Sequence, residues 1–153
     1  MRRAIVGFHQ DDASDWVAEL DCGHRRHVRH APPLNDRPWV LDEQGRAAKL
    51  GSAFDCKGCA RRQLPHGHAA YRRTDTFGET TVPRGLLQRH TTRAGVWARI
   101  CVESGRLRYR LHAPFNEDEI LEPGAEGVVV PEVEHQVEPL GAVRFFVEFY
   151  RAP

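Results

Sequence analysis

Cys56-Lys57-Gly58-Cys59 places two thiols with two residues between them. At this spacing a tight turn can aim both thiolates at one tetrahedral ion, and Gly58 eases the turn. A second segment, Cys22-Gly23-His24-Arg25-Arg26-His27-Val28-Arg29-His30, adds one thiolate and three imidazoles. Four zinc ligands can be drawn from the two segments: Cys22, His24, Cys56 and Cys59. His27 can replace His24, because strand pleating puts His24 and His30 on one face and His27 on the other. A site filled by four protein ligands is closed, which is the arrangement of a structural zinc. Two other readings compete with it. In one, Cys22 is a buried apolar residue beside an incidental cysteine pair. In the other, the pair is a redox dithiol, although no thioredoxin-like βαβ pattern surrounds it.

A second constellation lies later in the chain. His90 precedes a strand-like run, His135 begins another, and Glu148 interrupts Phe145-Phe146-Val147-Glu148-Phe149-Tyr150. An inward-facing carboxylate in such a run needs a cation or metal to offset its desolvation. Brought together in a barrel, His90, His135 and Glu148 would form a facial triad suited to zinc, iron(II) or manganese, with positions left open. The competing reading turns Glu148 outward, paired with Arg144 on the same strand face or with an arginine of a neighbouring strand.

The elements that must position these residues follow from composition and pattern. The chain has 153 residues, 41% hydrophobic and 28% charged, which is ordinary globular usage. Twenty-two Lys and Arg oppose twenty-one Asp and Glu, so no strong overall field favours nucleic acid or an anionic membrane. No apolar stretch approaches the roughly 20 residues of a membrane span, and no signal-peptide pattern opens the chain, so the expected location is the cytoplasm. Thiols stay reduced there, which favours metal ligation over disulfides for the four cysteines.

The pattern predicts two modules. Residues 1–64 form a Cys/His-rich α+β zinc-binding module, with strands at Ala4 to His9, Trp16 to Leu20 and Arg25 to His30. A helix from Asp42 to Leu50 is capped by Asp42 and stopped by Gly51. Residues 65–70 carry Pro, Gly and polar side chains without apolar periodicity and read as a linker. Residues 71–153 read as short antiparallel strands at Gly95 to Val102, Leu107 to His112, Glu119 to Leu121, Gly127 to Val130, His135 to Val137 and Val143 to Tyr150. A tight turn is expected at Ser104-Gly105, and the whole suggests a sandwich or barrel.

Two resemblances sharpen this. Arg3 through Asp11, Asp15 through Leu20, Cys22 through His30, Pro32-Pro33, Arg37 through Val40 and Asp55 through Cys59 are similar to a small bacterial family of unassigned function that carries the same cysteines and histidines. From Tyr71 to Arg151 the chain resembles the small cupin family associated with tellurite resistance (TehB-like). The matching pieces are Tyr71 through Thr74, Leu87 through Trp97, Gly105 through Tyr109, Pro131 through Glu138 and Phe145 through Arg151. This resemblance implies a mainly β chain, with a double-stranded β-helix barrel following the zinc module. It also implies a divalent metal (Zn, Fe or Mn) at His90 and His135, with Glu148 as third ligand and Glu138 as its substitute. Most cupins have two histidines one residue apart in the first motif, whereas here only His90 stands before Thr91-Thr92-Arg93.

The implied role is binding or modifying a small anion or metabolite in tellurite, oxyanion or nitrosative stress, with Arg93, Arg99 and Arg108 as anion contacts. The alternative is a non-enzymatic interaction or sensing protein whose zinc module docks a protein or nucleic acid. Acidic residues beside the basic strand disfavour nucleic acid. A homodimer is left open by exposed strand edges.

Overall fold

A computed structural model describes all residues, 1–153. The chain is mainly β and divides into two compact units, Met1–Arg61 and Arg62–Pro153. None of its helices is long and apolar enough to cross a membrane.

In the first unit, β1 (Arg2–Gln10), β2 (Trp16–Leu20) and β3 (Arg25–His27) form an antiparallel meander. A short 3-10 turn (Pro38–Leu41) and α1 (Glu43–Ala48) lead to β4 (Ala53–Asp55), which returns to pair with β1 and gives the order β3-β2-β1-β4. The unit closes with the single turn α2 (Lys57–Ala60). Asp11 makes the β1–β2 connection: its Oδ1 accepts from the backbone N–H of Ala13 and Asp15 at 3.0 and 2.9 Å, an Asx-type turn. Asp42 caps α1 by accepting from the N–H groups of Gln44 and Gly45, as its position in the sequence predicts. Ile5, Val17, Leu20, Val28 and Val40 supply the aliphatic core, and three of its remaining buried members are cysteines.

The third strand is shorter than expected. Beyond His27 only Val28 still bonds to β2, and His30 turns away to accept the backbone N–H of Arg37 on Nδ1. The helix is also trimmed at both ends relative to Asp42–Leu50, since Asp42 is the cap and the chain turns left-handed at Gly51.

The second unit is one six-stranded antiparallel sheet: β5 (Ala69–Arg73), β6 (Phe77–Gly78), β7 (Trp97–Leu111), β8 (Glu117–Leu121), β9 (Glu126–Val129) and β10 (His135–Arg151). A short helical turn, α3 (Arg84–Leu87), precedes β7. The path is β5-β10-β7-β8, with β6 on β10 and β9 on β7. The expected linker is partly structured. The unit begins at Arg62, whose guanidinium pairs with Glu117 and Glu119, and Ala69 and Ala70 belong to β5 opposite Arg151 and Tyr150.

The turn expected at Ser104-Gly105 does not form. The two strands predicted on either side of it are one strand, β7, because both halves pair with the same partner, β10. Ser104 and Gly105 instead pair with Arg144 and Val143 between two irregularities of the ladder, one of which leaves Glu103 as an extra residue with no partner on β10. Gly105 has φ +77° there, and a Cβ on it would lie 2.0 Å from the Ala142 carbonyl oxygen, so only glycine fits the approach. The extra residue also switches the buried parity. Ala98, Ile100 and Val102 face the core before it, and Leu107, Tyr109 and Leu111 after it. His135 to Val137 and Val143 to Tyr150 likewise fuse into β10, with Pro139 to Ala142 as the corresponding irregularity.

Candidate metal and ligand sites

The β2–β3 turn and the start of α2 build the first site. Gly23 N–H donates to the Leu20 carbonyl at 2.8 Å and Leu20 N–H to the His24 carbonyl at 3.0 Å, which closes a loop carrying Cys22 and His24. Cys56 caps α2, its Sγ accepting the Cys59 N–H at 3.4 Å, so Cys56 and Cys59 point the same way from one turn. The ligand atoms of Cys22, His24, Cys56 and Cys59 all lie within 4.8 Å of one another. Cys22 Sγ is 3.8 Å from Cys56 Sγ, and His24 Nδ1 is 3.5 and 3.8 Å from the sulfurs of Cys22 and Cys59. His24 therefore offers Nδ1 to the cluster. His27 does not join it, since its Nε2 pairs with Asp11 at 2.8 Å on the surface.

Sulfur-rich, closed and buried, this donor set fits a structural zinc. Cys22 and Cys59 are fully buried. The hydrogen bond with Cys59 and burial push the Cys22 thiol up to about 12, while that same bond holds Cys59 below its ordinary value. Arg3 is a participant that sequence reasoning missed. It is 5% exposed and lies on the β1 face that also carries Ile5. Burial works against its charge, but the Cys59 and Cys22 thiols and Asp21 raise its pKa on balance. A buried cation suits a site whose three thiolates exceed the charge of one divalent ion. The signal was legible only as alternation: Arg3 shares parity with Ile5 in a half-buried strand.

Gly58 matters for space. A Cβ there would lie 2.2 Å from His24 Nε2. Gly58→Ala is expected to displace the His24 ring and weaken zinc binding by roughly tenfold or more, the usual scale for disturbing the support of a ligand. Competition against a chromophoric chelator measures this; unchanged affinity would mean that His24 is not a ligand.

The second site centres on His90 and His135. The two residues form an antiparallel bridge and their rings stand 4.1 Å apart. Each Nδ1 faces a carbonyl oxygen, Gln88 for His90 at 2.8 Å and Val133 for His135 at 2.9 Å. A carbonyl can only accept, so both Nδ1 atoms carry the proton, which leaves Nε2 as the nitrogen of each ring that could ligate a metal. Both imidazoles line a cavity of about 160 Å³ whose other walls include Leu86, Ile100, Val129, Phe145 and Val147. His135 is 3% exposed, and burial pushes its pKa down to about 4, so it is neutral at physiological pH.

The expected carboxylate is not part of this site. In β10 the odd-numbered His135, Val137, Val143, Phe145 and Val147 are buried, which puts Glu148 and Glu138 on the opposite face. Glu148 accepts from Arg73 Nε at 3.3 Å and from the Tyr150 hydroxyl, and these partners hold its pKa below the ordinary carboxylate value, Tyr150 foremost. Glu138 pairs with Arg108 at 3.4 Å. The arginine of a neighbouring strand thus explains Glu148, and no triad forms. Of the expected anion contacts, Arg108 is committed to Glu138 and Arg99 to Glu126 at 3.4 Å. Arg93 alone lines an open cleft, together with Arg72 and Arg151.

Residues 6–63 match the model of a protein family of unknown function, DUF3565, and residues 72–147 match the TehB-like domain. A crystal structure of a protein from Escherichia coli strain K12 aligns at 29% identity and TM-score 0.55, covering 60% of this chain and 97% of that one. TehB from Haemophilus influenzae aligns at 21% identity and TM-score 0.52 over 57% of this chain. That likeness is one of fold and spans 32% of the TehB chain. No curated protein matches the chain.

Proposed function

We propose that this chain, which joins a DUF3565 match to a TehB-like domain, is a metal-binding, cupin-type protein. It binds or modifies a small anion or metabolite in the cytoplasm, in the response to tellurite, other oxyanions or nitrosative stress. The observation that carries the reading is the pair of imidazoles, His90 and His135, 4.1 Å apart at one apolar cavity, each with its Nδ1 on a backbone carbonyl. Two imidazoles whose Nδ1 atoms are held by carbonyls fit a divalent ion (Zn, Fe or Mn) as two of its ligands. The remaining positions fall to solvent or to the bound small molecule, since Glu148 and Glu138 face away. Such an ion would supply Lewis-acid polarisation of that molecule. The residues themselves supply orientation: the Gln88 and Val133 carbonyls fix both tautomers, and Leu86, Ile100, Val129, Phe145 and Val147 give the cavity a largely apolar wall.

In this reading the Cys22, His24, Cys56 and Cys59 centre is structural and holds zinc. Metal analysis of the purified protein is expected to find that centre filled together with a second, labile divalent ion. His135→Ala should remove the second ion and leave the first. Retention of both ions in His135→Ala would overturn the cavity as a metal site.

A sensing or interaction role is favoured by a different observation. Arg25, Arg26 and Lys57, with Asp55 as the one carboxylate, line a cleft of about 290 Å³ beside His24 and Cys56, a surface suited to an acidic protein segment. Under that reading Arg25→Glu with Lys57→Glu would abolish partner capture, while His135→Ala would leave it intact.

A further inference from the structure

Most guanidinium groups in the second unit are paired with a carboxylate. Of its twelve arginines, eight have a carboxylate oxygen within 4.0 Å. The other four are Arg72, Arg84, Arg93 and Arg151, and three of these, Arg72, Arg93 and Arg151, line one cleft of about 490 Å³. No carboxylate is among its lining residues, which include the Thr91 and Thr92 side chains.

Each of the three is placed by the fold. Arg72 sits opposite Phe149 in the β5–β10 ladder, its Cζ 6.0 Å from the Phe149 ring centroid. Arg151 lies over Tyr71 at 4.3 Å. Aromatic faces hold a guanidinium in place without cancelling its charge. Arg93 opens a turn in which Thr92 Oγ1 donates to the Val96 carbonyl at 2.7 Å and Val96 N–H donates to the Arg93 carbonyl at 3.1 Å. Glu132 N–H fixes the same turn by donating to the Thr92 carbonyl at 3.0 Å.

We propose that this cleft is an oxyanion-binding site, with Arg72, Arg93 and Arg151 as its charged donors. Three like charges converging on one concavity repel one another, and an anion with several acceptor oxygens relieves that repulsion. The planar, five-donor guanidinium matches such oxygens in pairs. The cleft shares Thr91, Thr92 and Phe149 with the histidine-lined cavity, so a bound oxyanion lies next to that cavity's mouth. The assignment takes the small-anion part of the functional reading and gives it a location, but it needs no metal at His90 and His135.

The test titrates the full-length protein with inorganic phosphate and sulfate at constant ionic strength, following the arginine Nε–Hε resonances, with chloride as the control. Saturable shifts at Arg72, Arg93 and Arg151 are expected, with no saturation by chloride. Arg93→Gln should weaken affinity about tenfold, the scale of one charge-assisted contact, and Arg84→Gln should leave it unchanged. Unsaturable shifts, or equal losses in Arg84→Gln and Arg93→Gln, would each overturn the cleft. Failure of the metal reading alone would show only in the ion content of His135→Ala.

Discussion

Cys59→Ser is expected to cost the first unit both its metal and its fold, while the second unit keeps its cooperative transition. The unit has about 60 residues, a size at which burial alone gives little margin over conformational entropy. Its aliphatic core is modest, and Cys22, Cys56 and Cys59 occupy buried positions that a larger domain would give to hydrophobic side chains. Without an ion, three thiols and an imidazole have only weak sulfur hydrogen bonds to hold them together in one pocket. Structural zinc contributes on the order of 10–16 kcal/mol in small finger peptides, more than such a unit has to spare. One zinc per chain should be lost, and amide resonances of residues 1–61 should collapse to unfolded positions. Excess chelator should do the same to the wild-type protein. A Cys59→Ser protein whose first unit stays folded would show that the cluster is not its staple.

The second large effect is a pH dependence of the second unit traced to His135. Burial lowers its pKa in the folded state from an ordinary 6.5 to about 4, with the neighbouring His90 and His112 acting in the same direction and the Val133 carbonyl opposing. The unfolded chain therefore binds this proton more readily than the folded one. Its contribution is fully present above pH 6.5 and is lost as pH falls from 6.5 towards 4. Over that window the shift corresponds to roughly 3 kcal/mol. Urea unfolding in excess chelator, where the second unit supplies the cooperative transition, should show the midpoint dropping across this interval. His135→Gln, which carries no titrating proton, should flatten the drop. A midpoint that falls equally in both proteins would place the acid sensitivity elsewhere.

The comparison between sequence and structure turns on distance along the chain. Cys56 and Cys59 were legible because a two-residue gap forces their geometry locally, and Cys22 with His24 because a glycine turn holds them together. The Asp42 cap and the β1–β2 hairpin were legible for the same local reason. Ser104-Gly105 was misread because glycine marks both a reversal and a bulge, and only the partner strand distinguishes them. Arg3 went unnoticed because nothing near it in sequence announces a thiolate cluster assembled from residues 22, 24, 56 and 59.

Composition, ligand spacing and alternation by themselves determined that this is a β-rich chain of two chemically different halves, the first carrying two short Cys/His segments able to supply zinc ligands. Those properties are set within a few residues, where covalent geometry and pleating leave few options. Tertiary structure alone decided that His90 meets His135, that Glu148 turns to Arg73 and Tyr150, and that Arg93 gathers with Arg72 and Arg151. Those outcomes depend on register, and in a period-two strand a single inserted residue exchanges inside for outside.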